Sequence, residues 1–205
     1  MHPTKKQILQ GARVAFAQKG FRATIKDIAR AADLASTSII FWYFGDKDAL
    51  LLEIVRTASP FAHLEALTEA EPGDPKEELA LVVSTYLAAY RDPIERQILL
   101  QLLGGATGHE EVRTVLRRHV ASITSGYLTG VIRRAQDQLL LERSADPELI
   151  AQLLMGELLG MIIRWEVNHS LPWSEETLVR QALRMLGITD GPKSENTGSD
   201  QRKHL

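Results

Sequence analysis

The sequence predicts an all-α chain of about nine helices, with a short N-terminal three-helix unit followed by a larger helical bundle. Three observations carry that expectation. Apolar residues recur at a period near 3.6 in every long segment, and strand-like alternation is absent. The breaks between segments hold Gly, Pro and small capping residues in the places where helices start and stop. Residues 20–47 compress two short helical patterns around a tight turn, and the second is crowded with hydroxyls and aromatic rings.

Taken in order, a first helix spans about Lys5 to Lys19, capped by Thr4, with Ile8, Ala12, Ala15 and Phe16 on one face. Gly20 ends it at the position that favours a left-handed backbone. Thr24 opens a second helix, with Asp27 completing a capping box. Its inner face is Ile25, Ile28, Ala29 and Ala32. Asp33-Leu34-Ala35 makes the turn, and Ser36 caps a third helix packed through Ile40 and Phe44. Gly45 breaks the chain again, and Asp46 caps a fourth helix that continues toward Ser59-Pro60.

Beyond it, Glu69–Lys76 is a polar loop. Leu79, Val82, Val83, Tyr86, Leu87 and Tyr90 trace an amphipathic helix. Pro93 starts another, stopped at Gly104-Gly105, and a longer one follows from Val112 to about Leu141. Asp146-Pro147 opens an apolar helix over 148–169. Ser174 opens the last, ending at Gly187. Residues 190–205 carry almost no apolar side chain and are expected to be a disordered tail. The organisation expected is therefore a helix-turn-helix domain over 1–50, a helical bundle over 51–189 and the tail.

Composition narrows the function. The chain has 205 residues, 44% apolar and 24% charged, which is ordinary for a globular protein with a real core. It has no cysteine, so thiolate metal sites and disulfides are excluded, which suits a cytoplasmic setting. The N-terminal segment runs into a periodic helix and not into a secretory core, and the densest apolar stretch is too polar to span a membrane. No Gly-rich phosphate loop, His-Glu-x-x-His or Gly-x-Ser-x-Gly occurs, so no enzyme, catalytic residue or cofactor is expected. His119, His169 and Glu157 have no metal-ligand spacing, so no metal site is expected. The net charge of −2 conceals an asymmetry: residues 1–47 hold eight basic and three acidic side chains, a net of +5, leaving −7 for the rest. A basic head on an acidic body is what a protein needs if only the head meets a polyanion. The third helix, with Ser36, Thr37, Ser38, Trp42 and Tyr43 facing out, has the look of a DNA reader.

From about Thr4 to Glu53 the chain resembles the N-terminal domain of the TetR (tetracycline-repressor) family of transcriptional regulators. The matching pieces are Phe16-Ala-Gln-Lys-Gly20-Phe21, Thr24, Asp27-Ile28-Ala29 with Ala32, and Phe41-Trp42-Tyr43-Phe44 running into Lys47 and Leu50-Leu51. Between Ala32 and Phe41 the chain is one residue longer than the family pattern, at Ala35, and the usual turn glycine is absent. The resemblance implies a cytoplasmic homodimer that binds a palindromic operator on double-stranded DNA. Its two recognition helices would lie roughly 34 Å apart in successive major grooves. It also implies a ligand-binding and dimerisation bundle and, by family habit, a repressor relieved by a small-molecule inducer.

Within that frame Lys47 and Thr24 suit phosphates. Thr37 and Ser38, beside Ser36, suit base edges. Trp42, Tyr43 and Phe41 supply flat surfaces, although Phe41 suits a core equally well. Pocket candidates are Tyr86, Tyr90, His119, Tyr127, Glu157, Arg164 and Trp165, polar or aromatic groups near apolar faces. Dimer candidates are Gly156, Gly160 and Ile163 on the apolar helix, with Leu178, Ala182 and Leu186 on the last. The rival reading is a helical small-molecule-binding or scaffold protein whose helix-turn-helix serves protein contact.

Overall fold

Two apolar clusters, one under the head and one through the body, organise the chain. The computed structural model describes residues 3–58, 60–105 and 108–188, and no strand occurs among them. The expected tail over 190–205 lies outside the described residues. Helices α1 (Pro3–Lys19), α2 (Ile25–Ala31) and α3 (Ser38–Phe44) form the head. Helices α4 (Lys47–Ala58) and α5 (Pro60–Thr68) lead into the body, with Pro60 at the start of α5 where the sequence placed a break. α6 (Pro75–Ala89), α7 (Pro93–Gly105), α8 (Glu110–Val120), α9 (Thr129–Asp137), α10 (Pro147–Asn168) and α11 (Glu175–Met185) complete it.

Most boundaries follow local chemistry. Asp74, Asp146 and Ser174 each accept a first-turn amide of α6, α10 and α11 at 2.9–3.3 Å, which satisfies a donor the helix cannot. Helix α1 departs from expectation, because it already includes Pro3 and Thr4 sits in its first turn and not at its cap. Proline suits that first turn, having no amide to leave unpaired. A further difference lies in the long helix. α8 and α9 are continuous through a π-helical stretch, Ala121–Leu128, that winds Ile123, Thr124 and Leu128 into the body core. Thr129 stabilises it by donating its hydroxyl to the Thr124 carbonyl at 2.9 Å. The helix stops before Leu141 because Leu139 takes a left-handed φ of 60°, and Gln136 ties down the returning chain through the Glu142 and Ala145 carbonyls, both at 2.8 Å.

The head core is not built by the head alone. Ile8, Phe16, Ile28 and Ile40 pack with Leu50, Ile54 and Val55 of α4, and also with Ile98 and Leu102 of α7 and Val112 of α8. Helix α7 therefore serves two neighbours. On one side Glu95 pairs with Arg13 of α1. On the other the buried Arg96 pairs with Glu166 of α10 at 2.9 Å and donates to the Tyr90 and Arg91 carbonyls at the end of α6.

Candidate nucleic-acid interface

The site begins with a close crossing of α1 on α2. Gly11 faces Ala32 so tightly that any Cβ there would collide with its backbone, and Gln7 Nε2 donates to the Ala32 carbonyl at 2.7 Å. Gly20, with φ of 56°, turns the chain out of α1. Phe21 then sets its ring edge-on to Phe16 (5.1 Å) and stacks on His109 of the body (4.1 Å).

Helix α2 starts with the full capping box: Thr24 Oγ1 accepts from the Asp27 amide, and Asp27 Oδ2 accepts from both the Thr24 amide (3.0 Å) and its hydroxyl (2.7 Å). Lys19 Nζ lies 2.5 Å from the other carboxylate oxygen. Lys19 first, and Thr24 second, hold the Asp27 carboxyl well below the usual carboxylate range. The Thr24 amide and its one hydroxyl proton are therefore both directed at Asp27, and Thr24 serves here as the cap of α2.

The turn to α3 passes through Asp33 in a left-handed conformation (φ 50°), and the Leu34 amide returns to the Ala29 carbonyl at 2.9 Å. Ser36 hydroxyl accepts from the Ser38 amide at 3.2 Å, while the residue flanking the helix is Thr37, which makes no capping bond. Ser36 and Ser38 are exposed and Thr37 half-buried. Of the seven residues of α3 only Ile40 is buried. Phe44 is half-buried under Lys5 Nζ, 5.3 Å from its ring centre. Phe41 is 47% and Trp42 77% exposed, and Tyr43 stands edge-on to Trp42 at 4.6 Å. Gly45, at φ 77°, ends the helix, and Asp46 Oδ1 accepts from the Ala49 amide at 2.7 Å to start α4. Lys47, in the first turn of α4, donates from Nζ to the Phe21 carbonyl at 3.0 Å, which pins the base of α4 to the head.

The expected pocket residues fall in separate places. Tyr86 and Tyr90 lie together in the body core, ring centres 5.2 Å apart. Burial raises both phenols, and the Tyr90 hydroxyl, facing its neighbour, has no well-formed hydrogen bond. His119 Nε2 lies 3.3 Å from Glu65 on α5. Tyr127 reaches Glu78 at 3.3 Å, a carboxylate also held by Arg134 at 2.7 Å; burial first and Glu78 second push that phenol up to about 12. Trp165 lies under the Arg96 guanidinium at 4.8 Å. Glu157 and Arg164 are exposed on α10.

The outer face of α10 and α11 is strongly apolar. A groove of about 460 Å³ between them is lined by Leu153, Leu154, Met161, Ala182, Met185 and Leu186, among others. Leu153 is 65% and Met185 71% exposed, and Leu149, Val167 and Trp173 also reach solvent. Both Gly156 and Gly160 face open space. Ile163 is half-buried, and Leu178 and Leu186 pack on the body core with Ala182. The stripe of α11 therefore faces largely inward. Met185 and Trp173, whose exposure the periodicity did not single out, form much of the outward surface.

Comparison with known proteins agrees with this architecture. Residues 8–54 match the family model described as bacterial regulatory proteins, tetR family, and residues 69–182 match the tetracyclin repressor-like C-terminal domain. The chain is 26% identical over 174 residues to the HTH-type transcriptional regulator YhgD of Bacillus subtilis (strain 168), covering 85% of this chain and 90% of that protein. A TetR-family regulator from Rhodococcus sp. superposes with a TM-score of 0.72 at 20% identity, over 89% of this chain and 98% of that one. The fatty acid degradation regulator FadR from Bacillus halodurans gives 0.72 at 20% identity, over 91% and 95%. FadR from Bacillus subtilis, solved in complex with stearoyl-CoA, gives 0.69 at 20% identity, over 89% and 97%.

Proposed function

Because the chain belongs to the TetR family of transcriptional regulators, and so is a DNA-binding regulator, we propose that it acts as a repressor relieved by a small-molecule inducer. It binds a palindromic operator as a homodimer. The observation that carries the reading is the surface of α3. A seven-residue helix anchored by one buried side chain, Ile40, turns Ser38, Phe41 and Trp42 to solvent beside the exposed Ser36 that precedes it. Small hydroxyls allow close approach to a groove, and flat amphipathic rings lie against sugar and phosphate. Thr37 and Tyr43 flank that surface, and Lys47 stands at its edge with two ammonium protons beyond the one given to Phe21.

Two copies meet through α10 and α11. The support is the exposed Leu153, Met185 and Trp173 around a groove next to Gly156 and Gly160, where a partner helix finds no obstruction. The inducer enters the body near the Tyr86–Tyr90 pair, whose buried phenols are the polar groups of an otherwise apolar core. Binding there favours a form whose heads are wrongly spaced for the duplex, and lowers DNA affinity by the difference in ligand affinity between the two forms.

The test is a salt titration of binding to random and to selected duplexes. DNA binding weakens linearly in log salt, with a slope of about −0.9 for each phosphate neutralised. A flat titration would leave α3 as a surface for protein contact.

A further inference from the structure

We infer that Arg30, on α2, reads a guanine in each operator half-site; the inference rests on the DNA-binding reading above. The outward side of α3 offers hydroxyls, a phenol and an indole. None can make the two-pronged contact to guanine O6 and N7 that arginine makes. Of the three arginines in residues 1–47, Arg13 is paired with Glu95 of α7, and Arg22 sits in the turn after α1, next to the Phe21 that stacks on the body. Arg30 shares a shallow groove of about 390 Å³ with Lys26, Ser36 and Thr37, the residues leading into α3.

Local structure keeps its guanidinium available. The Arg30 side chain is 81% exposed, and Asp27, its ion-pair partner, is 3.8 Å away, beyond hydrogen-bond reach. That carboxylate is already occupied by Lys19 and by the amide and hydroxyl of Thr24. Just past Arg30 the chain doubles back: the Asp33 amide returns to the Arg30 carbonyl at 3.2 Å, and the left-handed Asp33 directs Ser36 and Thr37 to the same side. The first residues of a recognition helix are those that meet base edges. A guanidinium beside them, on a three-carbon arm, reaches the same depth of the groove. Lys26, one turn earlier on the same face of α2, holds a phosphate as a point charge.

Operators are selected from a randomised duplex pool by the wild-type dimer. Wild type, Arg30→Ala and Arg30→Lys are then titrated on the selected operator and on each of its single base-pair variants. The expected result is one symmetric G·C pair whose replacement weakens wild type by about 5- to 150-fold and either variant by less than about twofold. Substituting 7-deazaguanine there, which lacks the N7 acceptor, weakens wild type and leaves Arg30→Ala unchanged. Melting temperatures equal to wild type are expected for both variants. An equal loss on every duplex, with a shallower salt slope for Arg30→Ala, would make Arg30 a phosphate contact and overturn the inference. So would an unaltered sequence preference. A wild-type protein with salt-dependent binding but no preferred sequence overturns the guanine readout alone, whereas one with no salt-dependent binding overturns the DNA-binding reading as well.

Discussion

Helices α3 and α10 both leave large apolar side chains uncovered, and they do so in opposite chemical company. α3 is seven residues long, with Phe41 and Trp42 exposed beside Ser36, Ser38 and Tyr43. α10 is 22 residues long, and its exposed Leu149, Leu153 and Val167 have no hydroxyl among them. Interleaved hydroxyls suit a wet, polyanionic partner, and an aliphatic face with open glycines suits another protein surface. A contiguous uncovered patch marks a surface for contact; its chemistry says with what.

The sharpest way to break the comparison is at α10. Gly160→Arg or Leu153→Glu should convert the proposed dimer to monomer in sedimentation. Losing the second head should weaken binding to a two-half-site duplex by about 100- to 10,000-fold, while a single half-site binds as before. A surviving dimer would move the interface elsewhere. Next in size, Ile40→Ala should destabilise the head by about 2–5 kcal/mol in denaturant unfolding. Trp42→Ala should change stability by less than about 0.5 kcal/mol and yet weaken operator binding. Equal stability losses would mean that Trp42 is packed and not presented. Lys47→Ala should reduce the salt slope by about 0.9 on all sequences alike; an unchanged slope would leave Lys47 only its bond to Phe21. Thr37→Ala or Ser38→Ala should shift sequence preference by about 1 kcal/mol at one base step, read as a changed ranking of operator variants.

The smallest effect lies in the cap of α2. Asp27 has a folded pKa depressed by Lys19 and Thr24, so its contribution is present above the unfolded value of about 3.9 and lost as pH falls through the folded one. Asp27→Asn should therefore melt lower than wild type at pH 7, and the gap should shrink as pH drops below about 4. A constant gap across that range would assign the effect to something other than the charge.

Much of the helical frame could be read from punctuation. Thr24 with Asp27, Gly20, Gly45, Asp46, Asp146 and Ser174 each act locally, within four residues of themselves, so sequence spacing reports them directly. Of the side chains expected to face outward around α3, Ser36, Ser38 and Trp42 do so, whereas Thr37 and Tyr43 are half-buried. What escaped is what distant neighbours decide. Periodicity identified the stripe of α11 but not which helix it would meet, and Leu178 and Ala182 turned out to face their own bundle. The π-helical stretch answers to packing around Ile123 and Leu128, which no local preference encodes. Thr24 had two plausible uses for one hydroxyl proton, and the intramolecular acceptor took it. Of the pocket candidates, Glu157 and Arg164 border one groove beside α11 and Tyr86 pairs with Tyr90 in the core, while His119, Tyr127 and Trp165 find separate partners in Glu65, Glu78 and Arg96 where the fold supplies them.

The seat that Ile98, Leu102 and Val112 provide beneath α1 and α4 bears on how such regulators are re-engineered. Excised alone, the first fifty-odd residues would carry a raw aliphatic wound where α7 and α8 had lain. A chimera that grafts this head onto a foreign sensor has to bring those two supporting helices along, or remake their contact surface in the recipient.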